Sequence, residues 1–210
     1  VAERHRGQGE RQMSFVHSSP VGLPGLAAMA IGFVIFLLSL MVARRGAVKD
    51  AGQQRKSRRS LVGIVVQGCG IGFAGFGPIN VGLDPLSPFA IGQAVLITLL
   101  MAMVIGLFVT SARALGQNWS LVARTRSDHS LVTTGPFAHV RHPIYVALFL
   151  FMIAMAVAFG HPLHLLASVP LYIIGTWLRI AEEERLLRDM FGEVYDRYAA
   201  RVRRFVPGIF

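Results

Sequence analysis

"VGLPGLAAMAIGFVIFLLSLMVA", Val21 to Ala43, runs without a charged side chain until Arg44. An α-helix rises ~1.5 Å per residue, so about 20 apolar residues cross the hydrocarbon of a bilayer. This stretch is long enough. It is also too long for a typical signal-peptide core, and no small-residue cleavage site follows it, so it reads as a retained span. Leu61–Leu83 and Phe89–Ala112 are uncharged as well. Ile144–Gly160 and Leu163–Leu178 are shorter and meet at Gly160–His161–Pro162, which predicts a tight helical hairpin. The expected fold is all-α: a polytopic membrane protein with about five transmembrane helices plus a cytoplasmic, amphipathic C-terminal helix. Composition agrees, with 53% hydrophobic and 15% charged residues, less charge than a soluble domain carries.

A net charge of +10 would suggest nucleic acid in a soluble protein, but the positions of the charges argue otherwise. Arg44–Ser60 holds seven Lys/Arg, Arg113–His142 four, and the tail from Arg179 seven. Asp84–Ser87 and Gly160–Pro162 hold none. With five spans the three basic segments share one side, cytoplasmic by the positive-inside rule. The N-terminus then lies outside, and the basic surface meets anionic lipid headgroups and no nucleic acid. Nineteen Arg against two Lys suggest a GC-rich genome, so the expected location is a bacterial inner membrane.

Three organisational parts follow. Residues 1–20 are polar and expected to be disordered. Residues 21–112 form a three-span membrane part. Residues 113–210 carry nearly all the candidate chemistry. In the tail, Leu186, Leu187, Met190, Phe191, Val194, Tyr195 and Tyr198 recur at three and four residues, one face of a helix lying on the membrane surface.

Some motifs match by letter only. Gly70–Gly75 spells GxGxxG, but that fingerprint needs a strand turning into a helix. Inside an apolar span, Gly68, Gly72 and Gly75 are better read as a smooth surface for helix packing. His161 and His164 lack a nearby third ligand, so no metal is expected, and they read as a headgroup-level loop. Asn118–Trp119–Ser120 is a glycosylation sequon on the wrong side of the membrane. Cys69 stands alone, which excludes an internal disulfide and a cysteine metal cluster.

What remains is the stretch "GPFAHVRHPIY", Gly135–Tyr145, facing "RIAEEERLL" at 179–187. Pro143 holds His142 extended and opens a helix as its first residue. Arg141, His142 and Tyr145 thus bring a guanidinium, an imidazole and a phenol to one spot at the interface. A guanidinium grips a carboxylate or phosphate in bidentate fashion. Glu182 and Glu183 supply carboxylates for hydroxyls or a cation. Such a set suits a zwitterionic cofactor carrying a sugar. The plain alternative is that Arg and His snorkel to headgroups and the glutamates favour a helix dipole.

At "LVTTGPFAHVRHPIY" (131–145), "RIAEEERLL" (179–187) and "FGEVYDRYAARVRRFVP" (191–207) the chain resembles the isoprenylcysteine carboxyl methyltransferases and the related phospholipid N-methyltransferases. The order and spacing agree over about 115–207, with Phe137 where the pattern has Tyr. The resemblance implies a membrane methyltransferase using S-adenosylmethionine on a lipophilic or lipidated acceptor from the bilayer. By position it implies that His142 and Tyr145 hold the cofactor's amino-acid end. His129, Leu131 and Gly135 would line the adenosine pocket, and Glu182 or Glu183 would complete the site. Arg141 or Arg179 would orient an anionic acceptor beside the reacting methyl.

A carboxylate acceptor needs no general base, whereas an amine, phenol or thiol would need His142 to take a proton. Two rival readings stand beside this one. Membrane sterol reductases, which use NADPH, share a similar C-terminal arrangement, but Glu182–Glu184 and the lack of further spans argue against one. A non-catalytic scaffold or small transporter would leave the Arg/His cluster to lipid, yet a transporter calls for polar residues at mid-span.

Overall fold

The computed structural model describes residues 18–46, 58–116 and 130–206. His129, the Asn118–Ser120 triplet and the polar segment through residue 17 lie outside the described residues. The described residues form six α-helices in order: α1 (Leu23–Gly46), α2 (Arg58–Ala74), α3 (Pro88–Leu115), α4 (Pro143–Ala158), α5 (Leu165–Phe191) and α6 (Glu193–Arg201). Among the described residues strand pairing is limited to two isolated bridges, Val21 with Val81 and Val140 with Arg203.

Local chemistry sets the helix ends. The Ser87 hydroxyl accepts from the Ala90 N–H at 3.2 Å, and Pro88 fills the first turn of α3, satisfying an otherwise orphaned donor. Pro143 likewise opens α4, with His142 as the residue before it. Among the described residues three helices, α1, α3 and α5, are long and apolar enough to cross a membrane. The other two apolar helices, α2 and α4, are shorter, at 17 and 16 residues.

The main packing follows chain order at α3 and α4 but not elsewhere. α4 and α5 are joined by the predicted short turn, but α5 packs along α2, while α3 packs between α1 and α4. Phe36, Phe108 and Phe151 join α1, α3 and α4, with the Phe36 and Phe108 rings 5.1 Å apart and edge-on. The outward faces of α1 and α3 leave Ile31, Val34, Leu38, Val95 and Leu99 exposed, as a lipid-facing surface requires.

The α2–α5 seam is close because two glycines permit it. A methyl on Gly63 would lie 2.6 Å from Arg179 Cγ, and one on Gly175 would lie 2.4 Å from the Gln67 backbone nitrogen. Of the three glycines expected to make packing surface, only Gly75 does so, against Met155 at 2.9 Å; Gly68 and Gly72 have nothing within 4 Å. They lie on the exposed face of α2. GxGxxG falls along α2 and into the turn after it, with no strand ahead of it.

The tail departs from the single helix its periodicity predicts. Residues through Phe191 continue α5, and α6 starts again at Glu193. Gly192 separates them at φ 51, a left-handed conformation that costs other residues more than glycine. At the opposite end, His161 is fully buried rather than exposed at headgroup level. Its Nε2 lies 3.1 Å from the Pro78 carbonyl, and its ring stacks on His164 at 4.8 Å. The pair ties the α4–α5 turn to the α2–α3 connection. No group of three or more metal-ligating side chains occurs among the described residues.

Candidate active site

The site forms where the start of α4, the lower half of α5 and the returning tail meet. Pro143 fixes the start of α4, so His142 caps it and Tyr145 lies within its first turn. His142 is buried, with Nε2 3.2 Å from Glu184 Oε1 and Nδ1 3.8 Å from Glu183 Oε2. The Tyr145 hydroxyl donates to Glu183 Oε1. Tyr172 donates its hydroxyl to the Tyr145 carbonyl at 2.5 Å, fixing that turn from α5.

Successive residues on a helix are rotated by about 100°, so Glu182, Glu183 and Glu184 point in three directions. Glu183 faces His142 and Tyr145, as expected. Glu182 is buried too, but it pairs with Arg185, Nη2 to Oε1 at 2.7 Å, on its own helix. Glu184, which sequence reasoning did not single out, is the ion-pair hub. It meets Arg141 at 3.4 Å, His142 at 3.2 Å and Arg204 at 2.8 Å. No spacing rule chooses among three adjacent glutamates; only the rotation of α5 does.

The two arginines have different surroundings. Arg141 lies on the Glu184 side, and its buried Nε has no hydrogen-bond partner among the described residues. Arg179 is buried against α2, donating Nη1–H to Gln67 Oε1 at 2.7 Å. Its guanidinium also lies 4.9 Å over the Tyr145 ring, within cation–π range.

The tail closes the site. The Arg141 and His142 N–H groups donate to the carbonyls of Arg203 and Arg204 at 2.8 and 3.1 Å. The Tyr198 hydroxyl donates to the Phe137 carbonyl at 2.7 Å, and the Phe205 ring lies 6.2 Å from that of His142. Burial pushes the Tyr195 hydroxyl pKa up to about 12, helped by the Glu184 charge, and pushes Tyr198 to about 12 as well. The tail's periodicity puts these tyrosines on one helix face, and the fold brings that face against the 135–142 segment.

On the far side of the 135–142 segment lies a groove of about 720 Å³, bounded by Leu107, Arg113, Gly135, His139, Val146 and Phe205. Gly135 adopts φ 61, which lets the backbone turn at its edge. Leu131 is half-buried on the approach to this segment. The structure therefore joins Glu183, His142, Tyr145 and Arg179 directly, sets Arg141 beside them through Glu184, and puts Gly135 on the groove.

The resemblance read from the sequence is borne out. Residues 94–189 match the profile of the isoprenylcysteine carboxyl methyltransferase family. The chain is 36% identical over 98 residues to the protein-S-isoprenylcysteine O-methyltransferase of Schizosaccharomyces pombe, covering 44% of this chain and 40% of that protein. It is 37% identical over 87 residues to the enzyme of the same name from Tribolium castaneum, covering 40% and 30%. Against the human one the values are 37% over 100 residues, 45% and 34%. The chain thus spans well under half the length of these curated relatives.

A solved structure of a eukaryotic intramembrane Ras methyltransferase, isoprenylcysteine carboxyl methyltransferase, matches with a TM-score of 0.54 over 89% of this chain and 68% of that one. At 20% identity that likeness concerns the fold. Apolar helices and a shared fold agree on a polytopic integral membrane protein.

Proposed function

Because residues 94–189 carry the pattern of the isoprenylcysteine carboxyl methyltransferase family, we propose that this chain is an S-adenosylmethionine-dependent methyltransferase acting at the membrane interface. Its acceptor is a lipophilic molecule from the bilayer, of the isoprenylcysteine-carboxylate kind or another lipid or isoprenoid acid. The observation that carries the reading is Glu183 facing both the Tyr145 hydroxyl and His142 at the mouth of α4.

The residues present fit the cofactor. A carboxylate with a phenol and an imidazole suits a cationic, amino-acid-bearing ligand. The groove beside Gly135 has the size of a small-molecule site. S-adenosylmethionine supplies a methyl group on a sulfonium, already activated for transfer. The protein's task is then to align an acceptor and exclude water. Glu183, His142 and Tyr145 would hold the amino-acid end. Leu131 and Gly135 would line the adenosine part together with His129. Arg141 or Arg179 would orient the acceptor's carboxylate, Arg179 from beside the Tyr145 ring. An ionised acceptor leaves no proton to remove, consistent with the absence of an obvious second base.

In this reading residues 113–210 do the chemistry and residues 21–112 supply membrane spans and helix support. The five apolar helices all cross the bilayer, the basic segments face the cytoplasm, and the membrane is a bacterial inner membrane. The deciding experiment is mass spectrometry of membrane extracts supplied with methyl-labelled S-adenosylmethionine, with wild type or Glu183→Gln. A labelled methyl ester of a lipid acid that appears only with wild type is the expected result. Calorimetry that finds NADPH bound, and no S-adenosylhomocysteine, would replace this reading with the reductase.

A further inference from the structure

Gln67 is the one amide in the middle of α2, in a segment otherwise made of Leu, Val, Ile, Gly and Cys. It is 2% exposed. It lies outside residues 94–189, so the family pattern assigns it nothing. Both ends of its amide are used. Nε2 donates to Thr176 Oγ1 at 2.7 Å, and Oε1 accepts from Arg179 Nη1 at 2.7 Å. Arginine only donates, so the amide oxygen must face it. Thr176 then takes the amide nitrogen and fixes the orientation. Glycines at positions 63 and 175 bring the two backbones close enough for this contact.

We propose that Gln67 is a positioning residue for Arg179, setting the guanidinium over Tyr145 so that it meets the acceptor's anionic group. This rests on the methyltransferase reading and deepens it, by extending the acceptor site into the N-terminal membrane part. A long arginine side chain has many rotamers, and holding one of them lowers the ordering cost when the acceptor arrives. Gln67 fixes one N–H, and the Tyr145 ring supports the guanidinium face at 4.9 Å. Simple helix glue would need only a glutamine bonded to the neighbouring helix. Here the amide ends on a guanidinium beside Glu183's partner Tyr145, a far more specific arrangement.

The test uses the full chain in detergent micelles, S-adenosylmethionine, and N-acetyl-S-farnesylcysteine as a carboxylate probe. Gln67→Leu is expected to raise the probe's KM about tenfold, and its Kd for the S-adenosylhomocysteine complex equally, while S-adenosylhomocysteine affinity stays within about twofold. In an Arg179→Ala background the same change should add less than about twofold. Where Gln67→Leu does not accumulate, Thr176→Val removes only the hydroxyl that orients the amide, and should raise the probe's KM about threefold. An unchanged KM, or a full Gln67→Leu effect on top of Arg179→Ala, overturns the inference and leaves methyl transfer standing. Wild type that binds no S-adenosylhomocysteine and transfers no label removes the reading and the inference with it.

Discussion

Arg204 grips Glu184 with both arms, Nε to Oε1 at 3.0 Å and Nη2 to Oε2 at 2.8 Å, bringing the chain's last described residues back onto α5. Paired N–H donors on one carboxylate make a strong, directional contact. Glu184 is 2% exposed and also balances Arg141. Removing it takes the shared carboxylate away from the Arg141 and Arg204 guanidinium groups.

Glu184→Ala is therefore expected to destabilise the protein by about 3–5 kcal/mol, the range for breaking one side of a buried ion pair. Glu184→Gln keeps an acceptor and should cost less. Thermal unfolding in detergent would measure both. If Glu184→Ala melts with wild type, the hub does not hold the tail.

The sequence made the long spans legible because an uninterrupted apolar run has one physical outcome in a bilayer. It made Glu183, His142 and Tyr145 legible because Pro143 fixes where α4 begins. It could not show that α5 leaves α4 and packs on α2, since packing partners depend on complementary surfaces distant in sequence. Gln67 and Gly63 become informative only beside Arg179 and Gly175, over a hundred residues away. Glu184 was hidden for a different reason. In a run of three glutamates the partner is chosen by helix rotation, which polar letters do not encode.

The α2–α5 seam gives a contrast between glycines inside it and glycines outside it. Gly63→Ala and Gly175→Ala push a methyl into backbone or into the Arg179 stem, and overpacking of this kind costs about 1–3 kcal/mol. Gly68→Ala and Gly72→Ala meet nothing within 4 Å and should be neutral or slightly stabilising, since alanine favours helix over glycine by ~1 kcal/mol. Melting temperatures of the four variants in one detergent would check the order. Equal loss at Gly72 and Gly63 would mean that α2 is rotated from the position described.

Tyr145→Phe removes the hydroxyl that donates to Glu183 and leaves the ring beneath Arg179. A hydrogen bond to a charged group is worth ~1.5–3 kcal/mol, so a ligand organised by Glu183 should bind about 10- to 100-fold more weakly. Calorimetry with S-adenosylhomocysteine is the measurement. Glu183→Gln should weaken binding at least as much, because it removes the charge as well. Unchanged affinity in both variants would move the cofactor away from α4.

The tail should loosen in alkali through its two buried tyrosines. Both release their proton near 10 when unfolded and near about 12 in the folded protein, chiefly because burial penalises the phenolate. Between those values the unfolded chain binds fewer protons than the folded one, so rising pH favours unfolding. Their contribution is complete below about pH 10 and is lost as pH climbs toward about 12. Tyr198→Phe removes one of the two titrations together with the hydrogen bond to the Phe137 carbonyl. It is expected to melt lower at pH 7 by about 1 kcal/mol of stability, and to lose less on going from pH 9.5 to 11.5 than wild type does. Melting curves across that interval decide it, and parallel slopes for the two proteins would show that Tyr198 is not buried by the tail in solution.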